Sequence, residues 1–132
     1  MSHIQGWSLA MVALGGAIGA LARFFISREA EGWYPQYPML GTLLVNIIGC
    51  LAIGYLAGAG FEHRWLSVHA RLFLVTGILG GLTTFSALSL ETVGLSRQSP
   101  ALLWGGLHAI ANFTAGITAV LLGEWLARRF VG

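Results

Sequence analysis

Four stretches of some twenty or more mostly apolar residues occupy most of this chain, and no water-soluble fold of 132 residues can bury so many. A hydrocarbon core about 30 Å thick needs ~20 such residues per helix. The windows run from about Ile4 to Ile26, Met39 to Gly60, Val68 to Leu95 and Leu102 to Leu126. Short polar connections separate them: Arg28 to Pro38 with two glutamates and two prolines, Glu62 to Trp65, and Ser96 to Pro100. The expected architecture is a single all-α membrane domain, residues 1–132, with four transmembrane helices. The early residues carry no leading positive charge, so the first window is expected to be mature structure and not a secretory signal.

Charge supports the same reading. Only 9% of the residues are charged, against roughly a quarter in ordinary soluble domains, which argues against a typical cytosolic enzyme. Seven arginines, no lysine, five glutamates and no aspartate leave a net charge of +2, too scattered for a nucleic-acid footprint, so no nucleic-acid partner is expected. The single Cys50 allows neither an internal disulfide nor a four-ligand metal site. Trp7, Trp33, Tyr34, Tyr37, Trp65, Trp104 and Trp125 fall near the window ends, where amphipathic rings anchor to a membrane interface. Arg64, Arg71, Arg128 and Arg129 fall on one side of the membrane and Arg23, Arg28 and Arg97 on the other. Four against three is nearly even, which leaves open both a fixed orientation and insertion either way round, the latter permitting an antiparallel dimer.

Small and polar residues inside the windows carry the functional signal. Gly15, Gly19 and Arg23 form one stripe at intervals of four, and Gly54 and Gly58 another, as expected of close helix contacts. The run Thr76-Gly77-Ile78-Leu79-Gly80-Gly81-Leu82-Thr83-Thr84-Phe85-Ser86 is poor in helix formers, so the third helix is expected to break. Carbonyls freed there must meet protein, water or an ion, and hard oxygens suit a small cation; threonine hydroxyls satisfying a simple kink are the other reading. Beyond it Phe85 and Leu88 share a face, Ser86 and Ser89 form an adjacent polar strip, and Glu91 follows. Asn46 stands alone among Leu44, Val45, Ile47 and Ile48, and wants a partner across a helix interface or along a conduction path. His108 and Asn112 share a helix face, with Thr118 elsewhere. No ionisable residue lies at helical spacing from His108, which therefore reads as an interfacial group and not as a relay. Glu91 and Glu124 are the only carboxylates in the windows and no nucleophile has an identifiable base, so the chemistry left is selective passage.

Three blocks carry a more specific pattern: Gly15 through Arg23, Gly41-Thr42-Leu43-Leu44-Val45-Asn46-Ile47-Ile48-Gly49, and Gly77 through Ser86 followed by Glu91. In order and spacing they resemble the CrcB/Fluc family of fluoride channels. The resemblance implies a dual-topology antiparallel homodimer in a bacterial inner membrane, passively exporting fluoride and holding a structural, untransported sodium ion (Na+) at its centre. It implies that Gly80 and Thr83 supply that ion with backbone carbonyls. It assigns Asn46 as a donor to fluoride, Phe85 as a ring presenting its positive edge, Ser86 and Glu91 to a polar track, and Arg23 to a vestibule. Leu88 stands where the family pattern has a second phenylalanine, Ala87 where it has a threonine, and His108 and Asn112 where it often has tyrosine or serine; Leu88, His108 and Asn112 are counted with the pore by this resemblance. Fluoride is small and strongly hydrated, so a pore must replace its water with closely spaced weak donors and still release it.

Two other readings fit four small spans. A proton-coupled multidrug exporter has the same size but relies on a glutamate in its first span, where this chain has none. A structural subunit without transport activity would use every glycine for packing alone.

Overall fold

The structure is a computed structural model that describes residues 6–60, 66–98 and 102–131, and among these every regular element is helical. Helix α1 spans Gly6–Trp33 and α2 spans Leu40–Gly58. Helix α3, residues 68–82, starts as an ordinary helix over Val68–Arg71, widens to π-type turns over Leu72–Leu79 and closes with Gly80–Leu82. Helix α4 spans Phe85–Ser96 and α5 spans Leu102–Phe130. Taking 68–96 together, four segments are long and apolar enough to cross a membrane: Gly6–Trp33, Leu40–Gly58, Val68–Ser96 and Leu103–Phe130. The expected start at Ile4, the connection Glu62 to Trp65 with Arg64, and Pro100 lie outside the described residues.

The helix ends follow local chemistry. Helix α1 continues past the expected boundary at Ile26, because Arg28, Glu29, Ala30 and Glu31 are good helix formers. It stops before Tyr34-Pro35, where the proline removes a donor and restricts its predecessor. Helix α5 likewise passes Leu126 and ends with Arg128 and Arg129 in its last turn, where cations complement the helix dipole. Gly60 ends the α2 segment at φ 75°, a region open mainly to glycine, with its N–H bonded to the Ala57 carbonyl at 3.0 Å. Ser67 caps α3 by accepting from the Ala70 N–H at 3.1 Å.

Two glycine seams hold the helices together. On one, α1 meets α3: a methyl group at Gly77 would lie 2.7 Å from Gly15 Cα, and Gly19 packs on the Ile78 and Leu82 backbone. On the other, α2 meets α5, with Gly54 against Val120, Gly58 against Glu124 and Gly123 against Leu51 and Tyr55. The stripes expected at Gly15/Gly19 and Gly54/Gly58 are thus both helix contacts. Without side chains between them the backbones approach closely and gain dispersion contact, which must drive association where lipid is as apolar as leucine. The buried apolar core is correspondingly small: Ala30, Val45, Leu82, Leu88, Ala119 and Ala127. Many of the long apolar side chains, Trp7, Trp33, Trp104 and Trp125 among them, face outward.

Gly77→Ala and Gly123→Ala are expected to destabilise the protein by about 1–3 kcal/mol through overpacking against backbone. Gly106→Ala, where an added methyl meets nothing within 4 Å, is expected to be neutral or to stabilise by up to about 1 kcal/mol. Thermal unfolding of the purified variants in detergent checks the contrast.

Candidate functional site

Between α3 and α4 the chain leaves the helical path. Thr83 (φ −78°, ψ 156°) and Thr84 (φ −149°, ψ 120°) are extended, so their backbone groups cannot all be satisfied within a helix. The side chain of Asn46 on α2 takes over. Its Oδ1 accepts from the Thr84 N–H at 2.9 Å, and its Nδ2 donates to the Thr84 carbonyl at 3.2 Å. Arg23 on α1 donates from a guanidinium nitrogen to the Thr83 carbonyl at 3.3 Å. The Thr83 N–H and hydroxyl both return to the Leu79 carbonyl, at 3.1 and 3.0 Å. Thr84 then caps α4, its hydroxyl accepting from the Ala87 N–H at 3.2 Å and lying 3.3 Å from the Ser86 hydroxyl. Because the Thr84 N–H is turned toward Asn46, it does not close the usual i→i−4 bond to Gly80, whose carbonyl is released from the ladder on an exposed face.

A chain of polar side chains continues from this break. Asn46 Nδ2 also donates to Asn112 Oδ1 at 3.1 Å, and Asn112 Nδ2 donates to the His108 carbonyl at 3.2 Å. His108 Nε2 lies 3.0 Å from Glu91 Oε2, and the Thr42 hydroxyl donates to Glu91 Oε1 at 2.6 Å. Asn112 is only 4% exposed, so this network is held between α2, α4 and α5 and is not a surface array. The helix that carries His108 offers it no ionisable neighbour at helical spacing, yet His108 does have one. Its partner is Glu91 on another helix, which spacing along one helix cannot reveal. Thr42 and Thr84 were not singled out as site residues, although Thr42 lies one turn before Asn46 on the same face and could have been found by that spacing.

Two clefts meet at Thr84. The first, about 310 Å³, is lined by Asn46, Asn112, Thr83, Thr84, Phe85 and Leu88, together with Cys50 and residues of α5. The second, about 340 Å³, is lined by Arg23, Thr84, Ser86, Ala87 and Leu90. Phe85 presents 70% of its surface, whereas Leu88 is 5% exposed and closes the cleft from within. Ser89 is bonded back to the Phe85 carbonyl at 2.9 Å, and Thr118 bonds to the Thr114 carbonyl at 2.7 Å on an exposed face outside both clefts. Glu91 borders a third, smaller opening of about 200 Å³ with Pro38, Met39 and Gln98. The structure therefore brings Asn46, Phe85, Leu88 and Asn112 together, sets Arg23 and Ser86 on the neighbouring cleft, and joins Glu91 and His108 to Asn46 through Asn112. Gly80 lines neither cleft. Among the described residues no group of three or more His, Cys, Asp or Glu side chains could hold a metal, so carbonyl and hydroxyl oxygens are the donors on offer. The clefts offer amide N–H, hydroxyl and aromatic C–H groups, suited to replacing the hydration of a small anion.

Comparison with known proteins bears on what passes here. The family model described as "CrcB-like protein, Camphor Resistance (CrcB)" matches residues 10–124. A protein of Hyphomonas neptunium named fluoride-specific ion channel FluC is 46% identical over 120 residues, covering 90% of this chain and 94% of the relative. Proteins of the same name from Roseiflexus sp. (44% over 118 residues, 89% and 94% covered) and Pyrococcus abyssi (46% over 119 residues, 90% and 94%) match similarly.

Asn46→Leu keeps the branched shape and the number of heavy atoms but leaves the Thr84 N–H and carbonyl, and Asn112 Oδ1, without this partner. A loss of about 1–3 kcal/mol per stranded group is expected, read as a lower unfolding temperature and faster hydrogen exchange at the Thr84 amide.

Proposed function

The chain belongs to the CrcB family, and from that premise we propose that it is a fluoride-selective channel through which the anion passes passively. Its four apolar spans make it a multi-pass membrane protein. The observation that carries the reading is the convergence of Asn46, Asn112 and the Phe85 ring on one cleft at the Thr83–Thr84 break. The names of its relatives are those of a channel and not of an enzyme.

The residues divide the work. Asn112 keeps one amide N–H for the cleft, Asn46, whose two N–H groups are held by the Thr84 carbonyl and Asn112 Oδ1, orients that amide or gives up one of these bonds to donate to the anion, and the Phe85 edge adds weak C–H donors that can be released again. Leu88 has no ring quadrupole, so it confines the path without attracting the anion, and the amides carry more of the burden than they would beside a second ring. Ser86 and Thr84 offer hydroxyls between the two clefts. Arg23, held by the Thr83 carbonyl, puts a permanent positive charge beside Ser86. Passage is down a gradient, and export follows in a microbe whose interior traps fluoride that entered as the neutral acid. The inner membrane is the corresponding location.

Assembly and the structural sodium ion belong to the same proposal. The third span acts as a broken helix, a reading that the extended Thr83 and Thr84 support. The near-even arginine count and the outward-facing Phe85 and Gly80 favour an antiparallel homodimer. Sodium takes hard oxygen donors, and the residues present fit it: the Gly80 carbonyl is free of the Thr84 N–H, and the Thr83 carbonyl keeps one lone pair after accepting from Arg23. Gly80 and Thr83 of two copies would hold it. When bound, it supplies a fixed positive charge that lowers the cost of bringing an anion into low dielectric.

Fluoride-electrode efflux from liposomes tests the reading. Phe85→Ile and Asn46→Asp are each expected to cut efflux at least about tenfold, equivalent to about 1.4 kcal/mol, while the dimer survives on gel filtration. Unchanged efflux in either variant would remove that residue from the path, and no fluoride passage by the wild type would overturn the function. Replacing sodium with a large organic cation is expected to reduce both dimer stability and efflux.

A further inference from the structure

We infer that His108 is the counter-charge of Glu91, and that fluoride admission past Glu91 therefore depends on whether this pair holds a proton; the inference rests on the channel reading above. A carboxylate on the route of an anion is a paradox. Glu91 carries a negative charge into the network that ends at the fluoride cleft, where it repels the ion the cleft is built to receive. The Thr42 hydroxyl at 2.6 Å satisfies one oxygen but brings no charge. His108 Nε2 at 3.0 Å from the other oxygen is the group that can.

The surroundings isolate the pair. The His108 side chain is 8% exposed and that of Glu91 28%, so water screens their interaction only partly. Among the described residues, α2 packs Thr42 against Glu91, and its own titratable groups, Cys50 and Tyr55, lie two or more turns further along. Just past the end of α4 lies Arg97, exposed, and on α5 the nearest charged residue is Glu124, sixteen residues and ~24 Å from His108. From α1, Arg23 binds the Thr83 carbonyl beside the second cleft, away from the pair. Among the described residues His108 is thus the one hydrogen-bond partner of Glu91 that can carry a positive charge.

The pair also lies next to the cleft. The His108 carbonyl accepts from Asn112, which meets Asn46 at the cleft, and Glu91 borders the opening with Pro38 and Gln98 through which protons can reach the pair. With His108 neutral the pair has a net charge of −1; with a proton on Nδ1 it has none, while Nε2–H still donates to Glu91. The protonated pair admits anions and the unprotonated pair resists them.

Fluoride current across a planar bilayer tests this, because neutral hydrogen fluoride carries no current. Between pH 8 and 5.5 the wild type is expected to gain threefold or more in conductance. His108→Gln keeps a hydrogen-bond donor but cannot take up the proton, and is expected to stay low and flat. Glu91→Gln is expected to be flat without the suppression at high pH. A flat wild-type profile, or a wild-type slope in His108→Gln, would overturn the inference. If no fluoride current appears at any pH the channel reading falls instead, and the pair is then judged by imidazole ¹⁵N NMR. A His108 titration that moves in Glu91→Gln supports the coupling, and superimposable curves overturn it.

Discussion

In hydrocarbon every backbone N–H and carbonyl must find its partner inside the protein, and this structure is organised around a place within its third apolar segment where two residues are extended and a helix does not provide them. At Thr83 and Thr84 the chain is extended at membrane depth. Asn46 replaces the missing ladder by pairing with both backbone groups of Thr84, and Arg23 answers the Thr83 carbonyl. These contacts fix where α4 begins and which way Phe85 faces. They also leave polar groups standing in an otherwise apolar slab, which is the raw material of a pathway.

The glycine seams make that arrangement affordable. Gly15 and Gly19 bring α1 onto α3 closely enough for Arg23 to reach Thr83, and Gly54, Gly58 and Gly123 draw α2 onto α5 so that Asn46 meets Asn112. Neither seam offers hydrophobic stabilisation relative to lipid. Their value is proximity: a side chain at either seam would separate the helices by more than a hydrogen bond can span. The small buried core and the largely outward-facing aromatic residues are the counterpart of a fold whose solvent is oil.

Several parts of the site were legible in the chain because they depend on neighbours in sequence. The four spans follow from runs of apolar residues, and the glycine stripes from spacing of four; the stretch from Thr76 to Ser86, which contains the extended Thr83 and Thr84, is marked by its lack of helix formers. Asn46 stood out because an amide in a Leu/Val/Ile run must have a reason. Other parts were not legible. Nothing local distinguishes Phe85, turned outward, from Leu88, turned inward, although both follow the break by a few residues. The ends of α1 and α5 ran past the apolar windows because helix propensity, and not hydropathy, sets where a protruding end stops.

The sequence by itself determined the solvent this protein folds in, the number of its crossings and the faces on which its helices touch, since each is a property of composition or short-range period. Only the tertiary structure decided which polar groups meet. Thr42 with Glu91, Glu91 with His108, and Asn46 with Thr84 join residues that lie 49, 17 and 38 positions apart. Such pairs are chosen by how helices cross and rotate against one another, and helical period along a single segment carries no information about that.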